Sequence, residues 1–293
     1  MKIAALQMVS GTSVAANLQR AEGLLAQAAA QGARLAVLPE YFCLMGQSDA
    51  DKVRVREKPG SGPIQDFLAD AARRHGLWVV GGTLPLESPD PSRVLNSTLV
   101  FNPAGELAAR YDKMHLFAFQ RGTERYAEAD SITPGTQAVA FDCEGLRIGL
   151  AICYDLRFPE LFRALSQPAP AAGPLQDGGS PLGGQRANAS VAAIHPCDLF
   201  LLPAAFTHTT GEKHWEVLLR ARAIENLAYV LGSAQGGIHE NGRRTWGHSM
   251  IVDPWGEVLA MQAEGEAVVT ATLDRDRIAR HRESLPALRH RVV

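Results

Sequence analysis

Two eight-residue stretches of this chain repeat one pattern 151 positions apart: Val100-Phe101-Asn102-Pro103-Ala104-Gly105-Glu106-Leu107 and Ile251-Val252-Asp253-Pro254-Trp255-Gly256-Glu257-Val258. Each reads as the end of a strand, an Asn/Asp-Pro-x-Gly turn and a returning strand, which is hairpin chemistry. At the same offset, Trp78-Val79-Val80-Gly81 answers to Tyr229-Val230-Leu231-Gly232. Lys2-Ile3-Ala4-Ala5 matches Arg147-Ile148-Gly149-Leu150, and Ala36-Val37-Leu38-Pro39-Glu40 matches Phe200-Leu201-Leu202-Pro203-Ala204, at offsets of 145 and 164. Loops take up the drift, chiefly 168–192. A chain that repeats itself in this way builds two similar modules. Its Val/Ile/Leu-rich runs alternate with segments of helical period, so the modules are α/β. The expected architecture is an αββα four-layer sandwich, two facing sheets covered by helices.

Local signals place the elements. Lys2 to Met8 reads as a strand, and Ser13 to Gln31 as a helix with Gly32 past its end. Ala33 to Leu38 returns as a buried strand. A second helix opens at Pro63 and stops at His75-Gly76, with Ile64, Phe67, Leu68 and Ala71 on one face. Leu77 to Leu84 reads as the next strand, followed by the hairpin Asn96 to Phe101 and Glu106 to Tyr111. Asp274 to Ser284 reads as a short basic helix. Pro168 to Ser190 is rich in Gly and Pro and has no hydrophobic period, so a single domain over 1–293 with a surface insertion at about 168–192 is expected.

Composition narrows the partners. With 46% hydrophobic and 20% charged residues the chain can bury a large core. A formal net charge of −2 without a long run of one sign argues against a nucleic-acid footprint. No stretch has the apolar length of a membrane span, and the N-terminus lacks a signal-peptide h-region, so the mature chain is expected to begin at residue 1. The four cysteines form no CxxC pair and are too few for a disulfide scaffold, which fits a reducing, cytoplasmic setting. His-Glu-x-x-His, paired-Cys, P-loop and Gly-x-Gly-x-x-Gly patterns are all missing, and nothing around Cys153 matches a papain-type signature.

The repeat also separates what the fold needs from what it does not. Leu-Pro closes a strand in both halves, but Glu40 follows it in one and Ala204 in the other. Cys153 ends the strand Ile148 to Ile152 where the first half has Met8. Both lie at carboxyl ends of buried strands, where α/β sheets place ligands. Taken alone, Cys153 reads more readily as a core thiol, and Glu40 as a loop carboxylate. The run Tyr154-Asp155-Leu156-Arg157-Phe158-Pro159-Glu160 then makes a tight strand-to-helix turn of the kind that exposes a side chain and offers backbone N–H groups. A thiol needs a positive neighbour or a base to act as a nucleophile. Lys113, in Tyr111-Asp112-Lys113-Met114-His115, is the candidate cation, although a lone lysine there is commonly just solvated.

Leu38-Pro39-Glu40, Tyr111-Asp112-Lys113-Met114-His115 and Gly149-Leu150-Ala151-Ile152-Cys153-Tyr154-Asp155 in this order resemble the nitrilase, or carbon-nitrogen hydrolase, superfamily over essentially the whole chain outside the insertion. The resemblance implies the same αββα fold. It implies Glu40 as general base, Cys153 as nucleophile, and Lys113 with the backbone N–H of Tyr154 as the oxyanion hole. A further glutamate corresponds to Glu128, a looser match because Glu124 lies nearby. No metal or organic cofactor is implied, and self-association as a homodimer or higher homo-oligomer is expected.

The runs Cys153 to Leu161, His214 to Glu225 and Gly247 to Gly256 look closest to the deaminated glutathione amidase branch, which releases 2-oxoglutarate and cysteinylglycine in metabolite repair. The ω-amidases, acting on 2-oxoglutaramate, share the second and third runs and are the alternative, beside other small-amide, nitrile or carbamoyl hydrolases. An anionic keto acid needs a further cation, for which Arg157 is the candidate; a structural pair with Glu160 is the competing reading of that arginine. Phe206, Thr207 and His208 are expected on the substrate rim with Tyr41 opposite. A catalytically silent binding module is the non-enzyme alternative, and early alkylation of Cys153 relative to Cys43, Cys143 and Cys197 separates the two.

Overall fold

The computed structural model describes residues 1–122, 124–166 and 195–292, so the expected insertion at 168–192 lies outside the described residues. The first half runs β1 (Lys2–Gln7), α1 (Val14–Ala30), β2 (Leu35–Val37), α2 (Asp49–Arg54), α3 (Pro63–His75), β3 (Trp78–Val80), β4 (Leu84–Glu87), β5 (Val94–Phe101) and β6 (Leu107–Asp112). A small hairpin, β7 (Ala118–Arg121) and β8 (Glu124–Ala127), leads out of it. The second half runs β9 (Ala140–Cys143), β10 (Leu146–Leu150), α4 (Pro159–Leu165), β11 (Leu199–Ala204), α5 (His208–Asn226), β12 (Tyr229–Ala234), β13 (Gly236–Ile238), β14 (Arg244–Trp246), β15 (Ser249–Val252) and β16 (Val258–Gln262). Then β17 (Ala267–Thr272) and α6 (Arg275–Ser284) follow.

One sheet has the order β17-β1-β2-β3-β5-β4 with β6 also on β5, and the other β16-β15-β12-β11-β10-β9. The parallel core β1-β2-β3 corresponds to β10-β11-β12, each followed by an antiparallel hairpin. The likeness extends to an irregularity: the β5/β6 ladder shifts register between Val100 and Phe101, and the β15/β16 ladder between Ile251 and Val252, again 151 residues on. Asn102 Oδ1 accepts from the N–H groups of Ala104 and Glu106, and Asp253 Oδ1 from those of Trp255 and Glu257. The turn chemistry read from the sequence is thus what closes both hairpins.

Strand periodicity explains the layers. Ile3, Ala5, Leu35, Val37, Val80 and Val100 join one core with Ile148, Leu150, Leu199 and Leu201 of the facing sheet. The alternate residues Ala4, Leu6, Ala36, Val79 and Leu99 turn the other way and pack with Leu25 of α1 and Leu68 of α3. On the second sheet Phe162 of α4 and Trp215 of α5 close the outer face. Helix, sheet, sheet, helix is the resulting order, the αββα sandwich.

Strand ends shift by a residue or two, as where β10 stops at Leu150 rather than Ile152, and one expected strand is divided. Leu77 to Leu84 is not a single strand but β3, a break at Gly81-Gly82, and β4, which folds back beside β5. Gly82 has φ 48°, and a Cβ there would stand 2.1 Å from the carbonyl oxygen of Pro39. The chain turns where only glycine lets the segment before Glu40 approach.

Candidate active site

Glu40, Lys113 and Cys153 arrive from three separate segments: the loop after β2, the residue after β6, and the turn after β10. Lys113 Nζ lies 2.9 Å from Glu40 Oε1 and 2.7 Å from Glu128 Oε2, with its side chain 0% exposed. A buried ammonium is costly unless paired. Burial alone would lower the Lys113 pKa, but Glu128 and Glu40 outweigh it and hold the group charged, above its ordinary value. Burial works to raise Glu128, yet Lys113 and the N–H of Phe117 hold its carboxyl below the ordinary range.

Each carboxylate is also fixed from elsewhere. Glu40 Oε1 accepts from Asn96 Nδ2 at 2.9 Å, and Oε2 from the N–H of Ala205 at 2.9 Å. Glu128 accepts from the Tyr41 hydroxyl at 2.8 Å and the Phe117 N–H at 2.7 Å. Two residues with left-handed backbone mark the site: Tyr41, φ 56°, directly after Glu40, and Cys153 itself, φ 46°. For non-glycine residues this conformation is strained, and the surrounding structure must hold it. At Cys153 the holding group is Asp155, completely buried. Its Oδ2 accepts from the Tyr111 hydroxyl at 2.7 Å and the Ile152 N–H at 2.8 Å, while Oδ1 takes the His115 N–H at 3.1 Å and lies 2.7 Å from His115 Nδ1. One carboxylate thereby ties the turn of Cys153 to the strand end of Lys113.

The resting thiol is not pre-ionised. Burial and the negative charge of Glu40 push the Cys153 pKa well above the ordinary thiol range, against the opposing pull of Lys113. A thiol in that state can act as a nucleophile only if a base takes its proton, and the Glu40 and Glu128 carboxylates line the same space.

The space at Cys153 is small, ≈ 10 Å³, about what one water fills. Its lining includes Glu40, Phe117, Glu128, Tyr154, Arg157, Phe206, Thr207 and Arg243. Arg157 does not pair with Glu160: it reaches His214 Nδ1 at 3.2 Å and lies 5.3 Å from the Phe206 ring centre, and no carboxylate among the described residues is bonded to it. Phe206 and Thr207 line this space. His208 does not; its ring packs edge-on against Trp246, 5.0 Å between centres, at the start of α5. Tyr41 is behind Glu128, lining a neighbouring cavity of ≈ 440 Å³ rather than the rim opposite Phe206. Sequence reasoning missed Asn96, Asp155 and Arg243. Asp155 had a signal, a carboxylate two residues past the cysteine in a turn with free N–H groups. Arg243 and Asn96 had none, because only the fold brings them near. Among the described residues no group of His, Cys, Asp and Glu is arranged to hold a metal ion, and no helix is long and apolar enough to cross a membrane.

The αββα sandwich thus carries a thiol on a strained turn, with a buried Glu–Lys–Glu chain beside it. The carbon-nitrogen hydrolase family model matches residues 2–169 and 185–283, and the chain belongs to that family; it is an amidase by class. The gap between the two matched stretches, 170–184, falls within the Gly/Pro-rich stretch. Among curated relatives, the deaminated glutathione amidase of Yersinia enterocolitica is 35% identical over 291 residues, 98% of this chain and 92% of that protein. Omega-amidase NIT2 of Homo sapiens is 32% identical over 291 residues, 99% of this chain and 94% of its own length. Among solved structures, Saccharomyces cerevisiae Nit3, a member of branch 10 of the nitrilase superfamily, superposes with a TM-score of 0.82 at 27% identity, over 100% of this chain and 97% of that one.

Proposed function

We propose that this chain hydrolyses the 2-oxoglutaryl amide bond of deaminated glutathione, giving 2-oxoglutarate and cysteinylglycine, as a single-domain cytoplasmic enzyme that self-associates. The observation that carries the chemistry is Lys113 bridging Glu40 and Glu128 beside Cys153. In this reading Sγ of Cys153 attacks the amide carbon while Glu40 takes the thiol proton, the step that a protonated resting thiol requires. The oxyanion that forms lies between Lys113 Nζ and the N–H of Tyr154, a donor in the first turn of the short 3₁₀ helix Cys153–Arg157, where helical N–H groups have no partner within the helix. The C–N bond then breaks, and Glu40 passes its proton to the departing amine. Glu40 next activates water against the thioester, releasing the acid and restoring the thiol. Glu128 keeps Lys113 charged and in place, and Arg157 meets the carboxylate of the acyl group.

The higher identity to the deaminated glutathione amidase than to the ω-amidase supports this substrate over 2-oxoglutaramate. The deciding experiment measures 2-oxoglutarate release from each compound, with Cys153→Ala as control. Preference for deaminated glutathione supports the proposal; preference for 2-oxoglutaramate makes the chain an ω-amidase. Release that survives Cys153→Ala removes the sulfur mechanism.

A further inference from the structure

The ≈ 440 Å³ cavity that Tyr41 lines shares three walls, Phe117, Glu128 and Arg243, with the small space at Cys153. It falls in the ~300–1,000 Å³ range of small-molecule sites, whereas the space at the thiol holds about one water. Its wall also includes Asn96, which is bonded to Glu40. The carboxylate assigned to protonate the leaving amine is therefore anchored to this cavity's wall.

The charges around it do not cancel. Lys52 is taken by Asp49 at 2.6 Å, and Glu128 by Lys113. Asp130 remains, against the guanidinium groups of Arg125 and Arg243, neither of which has a carboxylate partner among the described residues. Arg243 gives Nη2 to the carbonyl of Ala205 at 3.0 Å and lies 5.1 Å from the Tyr126 ring centre. Its Nε is buried and makes no hydrogen bond. Its Nη1 lies 3.8 Å from Met45 Sδ, and a guanidinium held over an aromatic face without a carboxylate partner is suited to bind a planar anion. Leu44, Met45 and Ile132 supply apolar wall between these polar groups.

We propose that this cavity is the amine-side subsite: it receives the leaving half of the substrate and selects a short peptide-like amine ending in a carboxylate, bound by Arg243 and Arg125. The inference deepens the amidase reading and rests on it for the direction in which the amine departs. It explains how one cysteine site distinguishes an amide of a dipeptide from an amide of ammonia, since ammonia leaves the subsite empty.

The test measures binding of alanylglycine and of alanylglycine C-terminal amide to the wild-type protein by calorimetry, without turnover. The carboxylate form is expected to bind about tenfold or more tightly than the amide, the worth of a charge-assisted hydrogen bond. Arg243→Gln and Arg125→Gln are each expected to bring that ratio toward one. Arg125 is exposed on β8, so its variant keeps the test valid even where Arg243→Gln disturbs the fold. Equal binding of the two dipeptides by wild type, no binding of either, or an unchanged ratio in both variants overturns the proposal. The acyl-side reading fails separately, by absence of 2-oxoglutarate release from every 2-oxoglutaryl amide.

Discussion

Replacing Lys113 with methionine keeps most of the side-chain volume and removes the charge that Glu40 and Glu128 share. Breaking a buried pair by deleting one partner typically costs about 3–5 kcal/mol, because the other charge stays behind unpaired. Here two carboxylates stay behind, 1% and 13% exposed in their side chains. Four hydrogen bonds survive, from Asn96 and Ala205 to Glu40 and from Tyr41 and Phe117 to Glu128, and these soften the loss. The expected destabilisation is therefore near the lower end, about 3 kcal/mol at neutral pH. Adding Glu128→Gln removes one of the two facing charges and is expected to restore about 1–2 kcal/mol, on the scale of a one-unit pKa shift.

The pH dependence has a definite sign. In the wild type Glu128 lies below its ordinary range, so its contribution is full above the unfolded value of ~4.3 and is lost as pH falls through the folded value. Without Lys113, burial dominates and raises that carboxyl, so the penalty develops as pH rises. The deficit of Lys113→Met relative to wild type should thus shrink from neutral pH toward ~4.3. Urea unfolding of the three proteins at several pH values measures all of this. A loss below about 1 kcal/mol at neutral pH, the range of an exposed ion pair, refutes the reasoning, as does a deficit that stays constant on acidification.

Three further outcomes are expected. Iodoacetamide should modify Cys153 before Cys43, Cys143 and Cys197, because it is 7% exposed against 1%, 1% and 0%, and its rate should still be rising beyond the ordinary thiol pKa of ~8.5; a plateau near neutral pH would show a pre-formed thiolate instead. Asp155→Asn puts an amide N–H₂ among donors and strands a backbone N–H, so stability should fall by about 2–3 kcal/mol in urea unfolding and kcat should fall with it, while unchanged kcat would sink the positioning role. Arg157→Met should raise KM for 2-oxo acid amides by about tenfold or more, read from initial-rate kinetics, with an unaltered KM excluding it as the acyl-side cation.

The hairpins were legible because their information is local. Asn102 and Asp253 each bond the N–H groups two and four residues on, so the turn and even the shared bulge follow from adjacent residues. Glu40 and Cys153 were legible for another reason: the repeat supplied an internal control, and both stood where the other half did without them. The break at Gly82 was not readable, since it depends on the Pro39 carbonyl from a different segment. Tyr41 and His208 were placed on the rim by their neighbours in sequence, but side-chain direction was decided by partners far along the chain, Glu128 for one and Trp246 for the other.

By itself, the sequence determined the two-module α/β architecture, its turns, and which residue types could carry sulfur-based acyl transfer, because periodicity, turn chemistry and motif order act over short stretches. Tertiary structure alone decided that Lys113 sits dry between two carboxylates, that Asp155 locks the cysteine turn to the lysine strand, and that Arg243 stands between the thiol and a larger cavity. These are matters of charge in a low-dielectric interior, where the worth of a group is set by what is packed against it in space.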